Sequence, residues 1–228
     1  MRSLLTTVFR PACPLCSRPA KGHFCLDCQR QIAATRLAQP WQFWQEPLPL
    51  GAWGRYRDAL KRVLGALKYH NRPELAQPLG LYLGDVWLSG GHGFNPAPVV
   101  VPIPLHPDKL QTRGYNQAEL LAASFCDYVG LTLCSNLLIR QTNTQAQHRL
   151  SVQARAANLA TAFALHPRHP RPTQPVLILD DIYTTGATAQ AACQVLQQAG
   201  FRVIGVLVVA TGKADPPARN APLQPAEP

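Results

Sequence analysis

Two adjacent carboxylates, Asp180 and Asp181, follow the apolar run Val176-Leu177-Ile178-Leu179, and Ile182-Tyr183-Thr184-Thr185-Gly186-Ala187-Thr188 comes next. The apolar run suits a strand buried on both faces of a parallel sheet, with the two acids closing it. A helix is expected to open after the turn and to run to Gln198, where Ala199-Gly200 stops it. The backbone N–H groups that open such a helix lack partners inside it, and the helix dipole there favours an anion. Gly186 allows close approach of backbone, and Thr184, Thr185 and Thr188 add hydroxyl donors. A phosphate fits that cradle. Two carboxylates directly upstream would repel it unless they serve sugar hydroxyls or a magnesium ion. Together the residues suggest a sugar phosphate.

A second constellation lies near the start of the chain. Cys13-Pro14-Leu15-Cys16 and Cys25-Leu26-Asp27-Cys28 are two C-x₂-C pairs separated by eight residues. Each pair presents two thiolates at a spacing that suits tetrahedral zinc, and four thiolates leave no open position, so Zn²⁺ there would be structural. A disulfide pair and an iron–sulfur cluster are the alternatives. His23 lies between the pairs, and Cys126, Cys134 and Cys193 are dispersed.

The elements that must position these groups read as an α/β chain. Gln29 to Ala38 can be helical, and Gly51 to Tyr56 is a short strand. Arg57 to Lys68 is an amphipathic helix, with Leu60, Val63, Leu64 and Leu67 recurring on one face. A further helix is expected from Glu74 to Leu88, and a core strand over Val99 to Pro104. A loop, Leu105 to Gln117, then leads to a helix from Ala118 to Val129. Leu137 to Arg140 and Phe163 to Leu165 are candidate strands around a polar stretch from Gln141 to Asn158. Arg202 to Val209 forms the strand after the central helix. A strand–turn–helix–strand unit of this kind is the crossover of a doubly wound sheet, whose ligands bind beyond the carboxyl ends of the strands.

Asp180 to Thr188 resembles the 5-phosphoribosyl-1-diphosphate (PRPP) signature of type I phosphoribosyltransferases. The resemblance implies that fold, doubly wound and mostly parallel with a hood. It implies that Asp180 and Asp181 hold the ribose hydroxyls. Tyr183, Thr184, Thr185, Gly186, Ala187 and Thr188 would then form the 5-phosphate turn, with Mg²⁺ accompanying PRPP. It also places Lys109, Arg113 and Gly114 on the pyrophosphate side, and Arg149 and Arg155 in the hood. Val101-Pro102-Ile103-Pro104-Leu105-His106-Pro107, Arg113-Gly114-Tyr115-Asn116-Gln117 and Leu67-Lys68-Tyr69, together with the four cysteines, are similar to the ComF/GntX competence family, from Cys13 to about Val209. That likeness implies a role in the uptake or utilisation of DNA, and the DNA-uptake machinery as a partner.

The 228 residues fit a cysteine module with connector (1–49), a phosphoribosyltransferase-like domain (50–210) and a tail (211–228). The tail holds five prolines and is expected to be disordered from Thr211. No stretch approaches the ~20 apolar residues of a membrane span, the N-terminus lacks the marks of a signal peptide, and a cytoplasmic location is the default. The net charge is +10, and residues 1–75 hold 12 Lys/Arg against 4 Asp/Glu. A basic front end with Trp41, Phe43 and Trp44 admits single-stranded DNA as a partner, although such aromatics more often pack a connector. Three readings follow: a PRPP-binding protein of DNA utilisation, a single-stranded DNA adaptor with a regulatory or vestigial PRPP site, and an active transferase with an unassigned acceptor base.

Overall fold

The computed structural model describes residues 12–43, 47–91, 93–141, 162–168 and 171–214. Five parallel strands form the central sheet. They are β1 (Leu50–Arg55), β2 (Val99–Pro102), β3 (Thr132–Leu133), β6 (Val176–Tyr183) and β7 (Val203–Thr211), in the order β1-β7-β6-β2-β3. Two further strands, β4 (Leu138–Arg140) and β5 (Phe163–Leu165), pair antiparallel in a separate ribbon.

Helices cover both faces of the sheet. On one side, α2 (Asp58–Tyr69), α3 (Ala76–Ser89) and α5 (Gln117–Val129) pack against Val100, Leu177, Leu179, Leu207 and Val209. On the other, α6 (Ala187–Gln198) packs with the ribbon against Val99, Val101, Ile178, Val206 and Val208. This is the expected doubly wound arrangement. Each fully buried leucine of α2, Leu60, Leu64 and Leu67, contributes about 2 kcal/mol of apolar burial. Helices α3 and α5 approach closely because Gly80 carries no side chain: a Cβ there would lie 2.9 Å from the Leu121 carbonyl oxygen.

The cysteine module joins the same core. Helix α1 (Leu26–Ala33) packs on α2, and Phe24 and Ile32 belong to the apolar cluster under the first sheet face. The connector packs as well. Trp41 lies edge-on to Trp87 with ring centroids 6.2 Å apart, and its ring covers Gly51. Its face is therefore not free to stack on a base. Trp44 lies outside the described residues.

Several boundaries differ from the sequence expectation. The stretch from Leu105 to Gln117 is not all loop, because α4 (Pro107–Arg113) forms within it. Pro107 stands at the first helical turn, His106 accepts from the Asp108 backbone N–H, and Gly114 at φ 83° ends the helix. The helix expected from Glu74 starts as a 3₁₀ turn, Pro73–Leu75, with α3 following from Ala76. The first helix is Leu26–Ala33 rather than Gln29 to Ala38. Strand β3 was not legible. Asp180 and Asp181 lie inside β6 rather than at its end, since β7 pairs with β6 as far as Tyr183 opposite Thr211. Thr211 is therefore a buried strand residue and not the start of a disordered tail; residues 215–228 lie outside the described set.

Candidate functional site

The sheet has one point where the chain turns in opposite directions. From β2 the chain crosses by α4 and α5 to its neighbour β3, while from β6 it crosses by α6 to β7 on the other side. Strands β2 and β6 are adjacent, so a crevice opens between the segments that leave their carboxyl ends. One wall is Asp180 to Thr188. The other is the segment through α4.

The first wall is continuous in sequence. Gly186 sits at φ 82° and is followed directly by α6, which has no side-chain cap at its N-terminus. The opening N–H groups of that 12-residue helix face the turn, and Thr185 Oγ1 accepts only weakly from the Ala187 N–H at 3.4 Å. Asp180, Tyr183, Thr184, Thr185, Gly186 and Thr188 line a small cavity of about 30 Å³. The Tyr183 ring is buried and packs over Gly186. The structure thus brings together seven of the eight residues expected to hold the ribose and 5-phosphate. The cavity itself is lined by Asp180 and not by Asp181.

The two carboxylates have different surroundings. Asp181 is buried, and the Lys68 ammonium lies 2.8 Å from its Oδ2. Burial alone would depress Lys68, but the charges of Asp181 and Asp180 more than offset it and its pKa moves up. Asp180 accepts the Asp181 backbone N–H at 2.8 Å. Burial, and next the Asp181 charge, push Asp180 up to about 8, while the Asp181 N–H and Lys68 pull it back. Asp180 is thus a partly exposed carboxyl that favours its proton near neutral pH, a group ready to exchange that proton for a cation or to meet hydroxyl donors.

Cations from separate elements make the second wall. Lys68 lies in the last turn of α2, Lys109 and Arg113 lie on α4, and Arg140 ends β4. Burial lowers the Lys109 pKa, and the charges of Arg140, Arg113 and Lys68 lower it further. Burial lowers the Arg140 pKa, and the Asp180 charge, near enough to act on it, offsets part of that. Lys68, Tyr69, Asn71, Lys109, Arg113 and Gly114 line an open cavity of about 700 Å³. The expected pyrophosphate-side residues Lys109, Arg113 and Gly114 are therefore brought together, and Lys68 joins them. Arg149 and Arg155 lie outside the described residues.

Three polar residues hold this wall in place. Asn116 donates to the Ile103 carbonyl at 3.1 Å and accepts the Ala118 N–H at 3.1 Å, which ties α5 to the end of β2. Buried Gln117 accepts from the Arg113 guanidinium, and the Tyr115 hydroxyl donates to the Leu67 carbonyl. The last bond joins the segment after α4 to the end of α2, next to Lys68. Sequence reasoning did not place Lys68, Arg140 or Lys213 at the site. Lys213 follows the end of β7 with its ammonium 5.2 Å from the centre of the Tyr183 ring. The alternation of Leu67-Lys68-Tyr69, apolar then basic at a helix end, was the only local sign for Lys68.

The four cysteines of the front module form a second cluster, their Sγ atoms all within 4.8 Å of one another. Cys16 and Cys25 are 3.4 Å apart, too long for a disulfide. Tetrahedral zinc with thiolates at about 2.3 Å needs sulfurs about 3.8 Å apart, so the donor set is compatible with a structural zinc site. Arg18 donates to Cys16 and holds its thiol down to about 6, which favours the ligand form. His23 is not in the cluster.

No family model matches the chain. Among curated proteins it is 32% identical to the DNA utilization protein YhgH of Salmonella typhi, over 85% of this chain and 81% of that protein. It is 27% identical to competence protein F of Haemophilus influenzae, over 82% and 90%. Competence protein ComFC of Bacillus subtilis is 27% identical over 87% and 77%. Among solved structures, adenine phosphoribosyltransferase from Leishmania tarentolae is similar over 67% of this chain and 62% of that one, at 14% identity and a TM-score of 0.39. Orotate phosphoribosyltransferase from Aeropyrum pernix covers 66% and 63%, at 16% identity and a TM-score of 0.33. Among the described residues no helix is long and apolar enough to cross a membrane.

Proposed function

We propose that this chain, which belongs to the family of competence protein F and the DNA utilization proteins, binds PRPP with Mg²⁺ and acts in the uptake or utilisation of DNA. The observation that carries the reading is the crevice between β2 and β6, where an acid pair and an uncapped helix N-terminus face a wall of four cations. The 5-phosphate would sit on the α6 N-terminus and the threonine hydroxyls. Asp180 would meet a ribose hydroxyl, and Lys109, Arg113 and Arg140 would balance the diphosphate. Mg²⁺ would supply further charge neutralisation of the diphosphate. Lys68 would hold Asp181 in register with that group. The cysteine module would hold Zn²⁺ and fix α1 against α2.

If the protein transfers the ribose, the bond from C1 to the diphosphate oxygen breaks and the diphosphate leaves with the electron pair. An acceptor nitrogen then bonds to C1 through its lone pair, and its proton passes to the departing diphosphate or to solvent. The cationic wall is placed to stabilise the leaving group as its charge grows. The test is calorimetric titration of PRPP and Mg²⁺ into the parent and into the double variant Asp180→Asn, Asp181→Asn. Micromolar binding by the parent and at least a 100-fold loss in the variant is expected. Equal binding by the two proteins rejects the ribose assignment, and no binding by the parent rejects PRPP as the ligand.

A further inference from the structure

The 700 Å³ cavity on the cationic wall holds an aromatic side chain that the phosphate chemistry does not use. Tyr69 is 74% exposed at the last position of α2. The contrast is Tyr128, also exposed, whose hydroxyl is bound to Asp85 at 3.1 Å on the far side of α3 and α5. The Arg113 guanidinium lies 5.7 Å from the centre of the Tyr69 ring and is braced by buried Gln117. One side of the ring is thus faced by a planar cation, and the rest of its surface is open to the cavity.

Lys68, the residue before Tyr69, turns instead to Asp181. Two consecutive side chains therefore present an ammonium to the acid pair and an aromatic ring to the cavity. Lys109 lines the same cavity. Base–aromatic stacking is sequence-tolerant because every base has a π-face, and an adjacent guanidinium strengthens it. The volume is in the range of small-molecule sites and exceeds what a diphosphate alone would fill.

We infer that Tyr69 and Arg113 form a shelf on which a nucleobase that carries a phosphate stacks, with the phosphate meeting Lys109. This deepens the proposed function, since it names the second ligand class of the same crevice. It also moves aromatic recognition away from Trp41, a connector residue packed against Trp87 and Gly51. The stacking chemistry is shared by a free nucleotide and by the end of a single strand.

The probe is 2-aminopurine, whose fluorescence is quenched by stacking, offered as the free ribonucleoside monophosphate and at the end of a single-stranded oligonucleotide. The full-length parent should quench one or both. Tyr69→Ala should weaken that binding about 10-fold or more, and Tyr69→Phe should keep it, as a stacking role requires. Quenching of the mononucleotide identifies a free nucleotide; quenching of the oligonucleotide alone identifies a strand end. No quenching by the parent, or equal quenching by parent and Tyr69→Ala, overturns the inference. PRPP titration is run on the same proteins as an independent readout of the phosphate site. Quenching without PRPP binding would reject the PRPP assignment and keep the shelf, and PRPP binding without quenching would do the reverse.

Discussion

The two walls of the crevice are built in opposite ways. The wall at the carboxyl end of β6 is one run of nine residues, Asp180 to Thr188, folded on itself by a strand end, a glycine and a helix start. The facing wall takes Lys68 from α2, Lys109 and Arg113 from α4, and Arg140 from β4. The first is shaped by local backbone geometry. The second exists only when α2, α4 and the ribbon are docked on the sheet. Lys68 and Asp181 are the stitch between them.

Breaking that stitch should have the largest effect on stability. Lys68→Met leaves the Asp181 carboxylate buried without its countercharge, which costs about 3 kcal/mol at neutral pH. The double variant Lys68→Met, Asp181→Asn removes both charges and should recover most of that loss. Urea unfolding of the parent and of both variants measures the two steps. A double variant as unstable as Lys68→Met would show that Lys68 acts by packing and that the walls are not joined by charge.

The same contrast explains what the sequence could reveal. The apolar run, the acids and the Thr-Thr-Gly turn specify their own geometry, so the contiguous wall was legible from residue order alone. The four cysteines were legible for the same reason, since each C-x₂-C pair fixes its own spacing. Lys109 and Arg113 could be read from the sequence as well, yet as part of a loop. The capping signals of α4 (His106, Pro107 and Gly114) bound only seven helical residues, too few for apolar periodicity to register. Lys68 and Arg140 were not placed because each reaches the site through residues far away in sequence: Lys68 pairs with Asp181, and Arg140 is carried there by the pairing of β4 with β5. The two-residue strand β3 has no pattern of its own and exists by pairing with β2. Pairing also carried β6 past the acids and β7 through Thr211, where composition alone pointed to a strand end and a tail.

The contiguous wall is tested by Gly186→Ala. At φ 82° an alanine is strained, and its Cβ would lie 2.9 Å from the Tyr183 Cε1 and closer still to the hydroxyl. The strain should cost about 1–3 kcal/mol. PRPP affinity should fall further than stability does, since the buried Tyr183 ring would be pushed toward the phosphate cradle. Thermal melts and calorimetry on one preparation separate the two effects. Normal PRPP binding in a folded variant would show that the turn does not need glycine for its ligand.

Asp180→Asn should have the smallest effect and the opposite sign to Lys68→Met. The folded-state pKa of Asp180 is raised to about 8 from its ordinary value of 3.8. Below pH 4 the carboxyl is protonated in both folded and unfolded chains and carries no penalty. Between pH 4 and 8 the unfolded chain loses its proton while the folded chain keeps it, so the parent loses stability as pH rises. The variant has no such proton, and its amide oxygen can still accept the Asp181 N–H. It should therefore be more stable than the parent by about 1 kcal/mol at pH 8, a small gain because solvent screens the partly exposed Asp180. Melting temperatures across pH 4 to 9 should diverge through that window and then run parallel. One carboxylate of the pair would thus be stabilised by its cation and the other kept from ionising, which is the state a cationic or hydroxyl-bearing ligand relieves. Parallel melting curves over the whole range would mean that Asp180 is already neutralised by the opposite wall, and the crevice would then favour an anion with no cation of its own.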